Sequence, residues 1–141
     1  MQPLCTCGKV PGQPAKKSPR VLVIDDEPLI RWSLAAGLRM AGFEVLSAGD
    51  AATAVDLGSR CAPDVVLLDV RLWNTNTTQL LADLQRVAPE GRVLLLAVTG
   101  HEVPPSRFKD VEIVRKPYDL HEVVRTVEAA VAAVHRMKPA V

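Results

Sequence analysis

Short apolar stretches recur along the chain, and most of them are continuous rather than alternating with polar residues. Continuous apolar runs are typical of strands in a parallel sheet, since helices cover both faces of such a sheet. The predicted strands are Val21–Ile24, Val45–Ala48, Val65–Leu68, Val93–Val98 and Val111–Val114.

Segments with apolar residues at helical spacing separate these strands. The first begins near Pro28, carries an apolar stripe of Ile30, Leu34, Leu38 and Ala41, and stops at Gly42. Later helices are predicted over Ala51–Arg60 with Asp50 as cap, over Thr78–Val87, and from a cap at Asp119 through Val134. Alternating strands and helices predict an α/β fold with a doubly wound, five-stranded parallel sheet and about five helices.

The chain has 141 residues and 48% hydrophobic content, which is enough for one domain with a substantial core. Residues 1–19 contain four prolines and no apolar periodicity, so they are predicted to form a disordered leader. The domain is expected over residues 20–136, followed by a short tail at 137–141.

Charge and composition disfavour several classes of partner. Seventeen basic and sixteen acidic residues give a net charge of +1, and the five aromatic residues are scattered, so no direct contact with nucleic acid is expected. Neither a membrane-spanning run nor a secretion signal is present, which predicts a cytoplasmic protein without membrane contact.

The three cysteines are Cys5, Cys7 and Cys61, and their number and placement indicate a reducing compartment. A metal site at Cys5 and Cys7 is the less favoured alternative, because no second pair or nearby histidine completes it.

Polar residues stand at or just past the ends of four predicted strands. They are Asp25, Asp26, Asp69, Thr99 and Lys116. Parallel strands end at one edge of the sheet, where α/β proteins bind ligands, so these residues are expected to converge there. Carboxylates in one cleft repel one another when ionised, and a divalent cation relieves that repulsion. Mg²⁺ is predicted, since it takes a few carboxylate and carbonyl oxygens and keeps several waters.

Four motifs give the chain a resemblance to a known family: VLVIDDEPLIRWSL, PDVVLLDVRL, LLLAVTG and IVRKPYDL. Together they resemble the receiver domain of bacterial two-component response regulators, over about residues 20–136. The first motif is most similar to receivers of the nitrogen-regulation type. The resemblance implies a flavodoxin-like receiver fold.

The resemblance also implies a role for each residue at the strand ends. Asp69 would accept a phosphoryl group from a phosphohistidine, and Lys116 and Thr99 would contact that group. The Mg²⁺ ligands would be Asp25, Asp26, Asp69 and the backbone carbonyl of Arg71. The chain would catalyse its own phosphorylation and dephosphorylation, without being a conventional enzyme.

The sequence departs from the family pattern at several positions. Trp73 and Thr77 replace a usual proline and glycine, and Ile113 replaces the usual aromatic residue before the lysine. Thr99 and Lys116 are unusually close, with two prolines between them, so a shortened or irregular fourth helix is expected. These departures suggest that phosphorylation is weakly coupled to the usual output surface.

The roles of three other side chains are left open. An exposed loop position is favoured for His101 over catalysis or metal binding, although His101 and Arg71 hold positions that flank the attacking water in the family. Trp32 and Trp73 are either exposed anchors for a partner or partly packed in the core.

A single-domain response regulator is the leading functional hypothesis. It would take the phosphoryl group from a histidine kinase and either pass it to a histidine phosphotransfer protein, drain the kinase, or alter binding to another partner. Its oligomeric state is open. The alternative is a receiver-like docking module that binds its partner independently of phosphorylation. An α/β enzyme of another type is less favoured, because no glycine-rich phosphate loop follows the first strand.

Overall fold

The computed structural model describes residues 18–70, 76–88, 91–98, 111–116 and 119–137. The strands are β1 (Arg20–Ile24), β2 (Glu44–Ala48), β3 (Val65–Asp69), β4 (Arg92–Val98) and β5 (Val111–Lys116). The helices of these ranges are α1 (Pro28–Met40), α2 (Ala51–Cys61), α3 (Thr77–Val87) and α4 (Leu120–Met137).

The five strands form one parallel sheet in the order β2-β1-β3-β4-β5. This is a doubly wound, flavodoxin-like arrangement, so the predicted fold class is confirmed. The chain moves outward from β1 to β2 and then returns to the other side of β1 to form β3. The strand order therefore reverses between β1 and β3, and this is where open α/β sheets bind ligands.

Each central strand contributes side chains to two separate cores, because neighbouring residues of a strand point to opposite faces. In β3, Val65 and Leu67 pack in the core beneath α1 and α4. Val66 and Leu68 pack in the opposite core beneath α2 and α3. Burial on both faces explains why the strand sequences are continuously apolar rather than alternating.

The helix ends follow the local signals of the sequence. Pro28 occupies the first turn of α1, and Gly42 just beyond that helix adopts a φ of +98°, which glycine tolerates without strain. Ala41 is exposed beyond the end of α1 and does not belong to the buried stripe that the periodicity predicted.

Asp50 caps α2, as predicted. Its Oδ1 atom accepts a hydrogen bond of 2.8 Å from the Thr53 amide, and its Oδ2 atom accepts one of 3.0 Å from the Thr53 hydroxyl. These bonds favour the ionised form and lower the pKa of the Asp50 carboxyl. The cap is therefore strongest when Asp50 carries its charge at the positive end of the helix dipole.

Several sequence-based predictions fall outside the described residues. The leader at 1–19 does so except for Ser18 and Pro19, and so does the tail at 137–141 except for Met137. The predicted shortened fourth helix would lie within 99–110, which the structure also leaves undescribed. In the described ranges, no helix is both long and apolar enough to cross a membrane.

Cys61 lies at the end of α2 and is completely buried. It is disulfide-bonded, and its partner lies outside the described residues. A disulfide is unusual in a reducing compartment, so the compartment that the cysteine pattern indicated stays a prediction.

Candidate functional site

The site lies at the carboxyl edge of the sheet, between β1 and β3. Ile24 pairs with Leu68 in the parallel register of these strands. The residues that follow, Asp25 and Asp69, therefore leave neighbouring strands at the same level. Asp26 comes next in the loop that leads to α1. The sheet thus brings together carboxylates that are 44 positions apart in the chain.

The three carboxylates form a compact group of oxygen donors. One oxygen each of Asp25, Asp26 and Asp69 lies within 4.8 Å of the others. The Asp25 and Asp69 side chains are only 1% and 5% exposed, and Asp26 is half-buried. Burying ionised carboxylates is costly unless their charge is compensated. A hard divalent cation supplies that compensation, and carboxylate oxygens are donors that Mg²⁺ prefers, so this group fits the ion.

The backbone around Asp25 is held by hydrogen bonds to two neighbouring segments. Its amide donates to the carbonyl of Ala48 at 3.1 Å, which extends the contact between β1 and β2. Its Oδ1 atom accepts a bond of 2.9 Å from the Glu27 amide, a turn typical of aspartate. Its carbonyl accepts a bond of 2.7 Å from Nη1 of Arg31.

Arg31 is a site neighbour that the sequence analysis did not identify. It lies in the first turns of α1, and its guanidinium reaches back over the loop that carries the two acids. The available signal was an arginine six positions after Asp25, close enough to return to the strand end. Apolar periodicity did not identify Arg31 because this residue is not part of the buried stripe of α1.

Two polar contacts lie at the start of α3, and the first of them reaches the residue after β3. The hydroxyl of Thr77 donates to the carbonyl of Val70 at 3.2 Å. Asn76 caps α3, its side chain accepting a bond of 3.1 Å from the Gln79 amide. Thr77, which stands where a glycine is usual, thus bonds to the residue after Asp69. Arg71 and Trp73, between these contacts, lie outside the described residues.

The other residues predicted for the site are placed only in part. Lys116 is the last residue of β5, and its backbone pairs with Val98 at the end of β4, so both lie at the same edge as the acids. The side chain of Lys116 is not among the described ones. Thr99 and His101 fall wholly outside the described ranges. The geometry therefore brings together Asp25, Asp26 and Asp69, and roles for the remaining residues stay predictions.

Relatives of known class share both the sequence and the fold of the chain. Probable transcriptional regulatory protein TcrX of Mycobacterium tuberculosis is 34% identical over 123 residues, which cover 84% of this chain and 50% of TcrX. The DNA-binding transcriptional regulator NtrC of a Bradyrhizobium species is 32% identical over 115 residues, 79% of this chain and 24% of NtrC. The chain thus spans half or less of these two relatives.

Solved structures agree in fold. A CheY-like response regulator receiver domain protein from Methanospirillum hungatei superimposes with a TM-score of 0.76 at 21% identity, covering 86% of this chain and all of that protein. The family model of the response regulator receiver domain matches residues 21–128. Receiver domains act in phosphorylation-dependent signalling with histidine kinases and bind Mg²⁺ at an acidic pocket. The chain belongs to the response regulator receiver domain family.

Proposed function

We propose that the chain accepts a phosphoryl group on Asp69 from a partner histidine kinase, with Mg²⁺ bound by the neighbouring acids. One observation carries this proposal: three carboxylates converge within 4.8 Å at the point where the strand order of the sheet reverses. Family membership supports it. The motifs that gave the resemblance place the phosphoacceptor at Asp69, which ends the central strand β3.

Asp69 acts as the nucleophile. One of its carboxylate oxygens forms a bond to phosphorus while the bond from phosphorus to the histidine nitrogen of the kinase breaks. The kinase imidazole leaves with the electron pair, and an acyl phosphate remains on Asp69. A carboxylate is effective in such a transfer only when charge on the phosphoryl oxygens is neutralised.

The neighbouring residues supply this neutralisation in the proposal. Asp25, Asp26, Asp69 and the Arg71 carbonyl would hold Mg²⁺, which lowers the repulsion between the attacking carboxylate and the phosphoryl oxygens. Lys116 would pair with one phosphoryl oxygen, and Thr99 would donate a hydrogen bond to another. The position of the Lys116 backbone at the carboxyl edge of β5 supports that role.

Downstream signalling would occur through contact with a protein or through transfer of the phosphoryl group to a histidine phosphotransfer protein. We propose a cytoplasmic location and the receiver unit at 20–136. The alternative is docking that does not depend on phosphate. The exposed apolar residues of α1 are compatible with either form of protein contact, whereas the acid cluster favours the phosphate-dependent one.

Incubation with acetyl phosphate tests the proposal directly. We expect the full chain to gain the mass of one phosphoryl group when Mg²⁺ is present, and to gain none when the ion is removed with a chelator. Intact mass spectrometry measures the difference, and lability of the adduct to hydroxylamine identifies an acyl phosphate. Absence of the adduct in Mg²⁺ would reject phosphorylation and favour the docking alternative.

The outer face of α1 offers a surface for the kinase beside the acid cluster. Leu29 and Trp32 are 78% and 69% exposed, although both are large apolar side chains. The sequence left Trp32 open between core and surface, and the structure places it on the surface. Large exposed aromatics near a reaction site are typical anchors for partner proteins.

Trp32→Ala should slow phosphotransfer from the cognate kinase about 10-fold, because a truncated interface anchor costs roughly 1–2 kcal/mol. Phosphorylation by acetyl phosphate should be unchanged, since this small donor does not need the surface. Met40→Ala is the matched control. Met40 is 89% exposed on the same helix, and it lies about 12 Å beyond Trp32 along the axis. Equal loss with both donors would contradict docking at Trp32.

A further inference from the structure

Arg31 lies against the peptide group that joins the first two acids of the cluster. Its Nη1 atom donates a hydrogen bond of 2.7 Å to the Asp25 carbonyl, one residue beyond the end of β1. Arg31 is half-buried, so this bond is partly shielded from water. Partly buried carbonyls at strand ends need such partners, and a bond from a charged donor is stronger than a neutral one.

Gly49 provides the space for this arrangement. A Cβ atom at position 49 would lie 3.0 Å from Nη1 of Arg31 and 3.5 Å from its Cζ atom. The guanidinium therefore sits closely against the segment between β2 and α2. Arg31 thus links that segment to the loop after β1. A side chain at position 49 would force the guanidinium to shift by a few tenths of an ångström from the place where it bonds to the Asp25 carbonyl.

The peptide between Asp25 and Asp26 orients both carboxylates. The amide of Asp25 is already held by its bond to the Ala48 carbonyl, and the Asp25 side chain by its bond from the Glu27 amide. Arg31 fixes its carbonyl, so rotation of the peptide, which would move both acids, is resisted. Mg²⁺ demands near-ideal octahedral geometry. Removing a contact that orients a metal ligand therefore typically weakens metal binding by about 10- to 100-fold.

We propose that Arg31, seated against Gly49, is a positioning residue that fixes Asp25 and Asp26 for binding of a divalent cation. This inference rests on the proposed function. Simple electrostatics predicts the opposite effect, because a nearby guanidinium repels the cation and its removal would tighten binding. The direction of the change in affinity therefore distinguishes positioning from charge.

Titration of the full chain with Mg²⁺ in a calorimeter tests the inference. We expect Arg31→Met to weaken Mg²⁺ binding about 10-fold, the low end of the loss seen when a partner of a metal ligand is removed. Arg31→Lys retains a donor and should recover part of the affinity. Arg39→Met is the matched control, because Arg39 bonds to the Val45 carbonyl at 3.3 Å from the far end of the same helix.

Gly49→Ala provides a second, independent variant. Gly49 does not adopt a positive φ, and the three atoms nearest to an added Cβ all belong to the Arg31 guanidinium. We expect a loss of Mg²⁺ affinity in the parent chain and no additional loss when Arg31→Met is already present. This variant decides the question if Arg31→Met does not fold, as judged by thermal unfolding.

The outcomes separate the two proposals. Affinity of Arg31→Met equal to or tighter than that of Arg39→Met would overturn the positioning role, even if the melting temperature falls. If the parent takes up Mg²⁺ and phosphate in that case, the proposed function still holds. A parent chain that binds no Mg²⁺ would overturn both.

Discussion

Asp69→Asn takes up no phosphoryl group from acetyl phosphate under conditions in which the parent chain is modified: this is the largest functional effect that we expect. The amide removes the anionic oxygen that attacks phosphorus, and it changes little else because asparagine has nearly the same shape. Asp69 is 5% exposed at the end of the central strand. Intact mass spectrometry measures the uptake.

Two kinds of control define this result. Asp56→Asn removes an exposed carboxylate of α2 that pairs with Arg60, so uptake should match that of the parent. Asp26→Asn retains the nucleophile and removes a proposed Mg²⁺ ligand, so uptake should recover in part at high Mg²⁺ concentration. Normal modification of Asp69→Asn, with the phosphoryl group mapped to another residue, would contradict the assignment of the phosphoacceptor.

Leu67→Ala should cause the largest loss of stability among the changes considered for this chain. Leu67 is completely buried in β3 and packs in the core beneath α1 and α4. Truncating a leucine there removes buried methyl groups and leaves a cavity in a core closed by rigid elements. We expect the free energy of unfolding to fall by about 3 kcal/mol, and the melting temperature by roughly 10 °C.

Leu29→Ala makes the same chemical change at a site that is 78% exposed on α1. It should alter the free energy of unfolding by less than about 0.5 kcal/mol, because no cavity forms. Urea unfolding followed by circular dichroism compares the two variants. Equal losses would show that burial in β3 does not determine the stability of the sheet.

Much of the fold was predictable because its signals are local. The five apolar runs predicted all five strands, and burial on both faces explains the unbroken runs of β1 and β3. Asp50 predicted the start of α2 from the ordinary chemistry of helix caps, and Thr53 provides the donors that bond to it. The periodic stripe of α1 identified Leu34 and Leu38 as buried and failed only at Ala41, where the helix had already ended.

The acid cluster was predictable for a topological reason. A polar residue after each of several parallel strands must lie at the same edge of the sheet, whatever the order of the strands. The structure confirms this for Asp25, Asp26 and Asp69. What could not be predicted was the environment of the cluster, because Arg31 and Gly49 come from segments whose patterns indicate only a helix turn and a loop.

By itself, the sequence determined the elements, the class of sheet and the convergence of acids, because hydrophobic periodicity and strand ends are properties of neighbouring residues. Only the tertiary structure decided that Trp32 is exposed, that Cys61 is buried and disulfide-bonded, and that the Arg31 guanidinium packs against Gly49. Such contacts depend on the distances between elements that are remote in the chain. Packing of the two cores fixes those distances, and no local pattern specifies them.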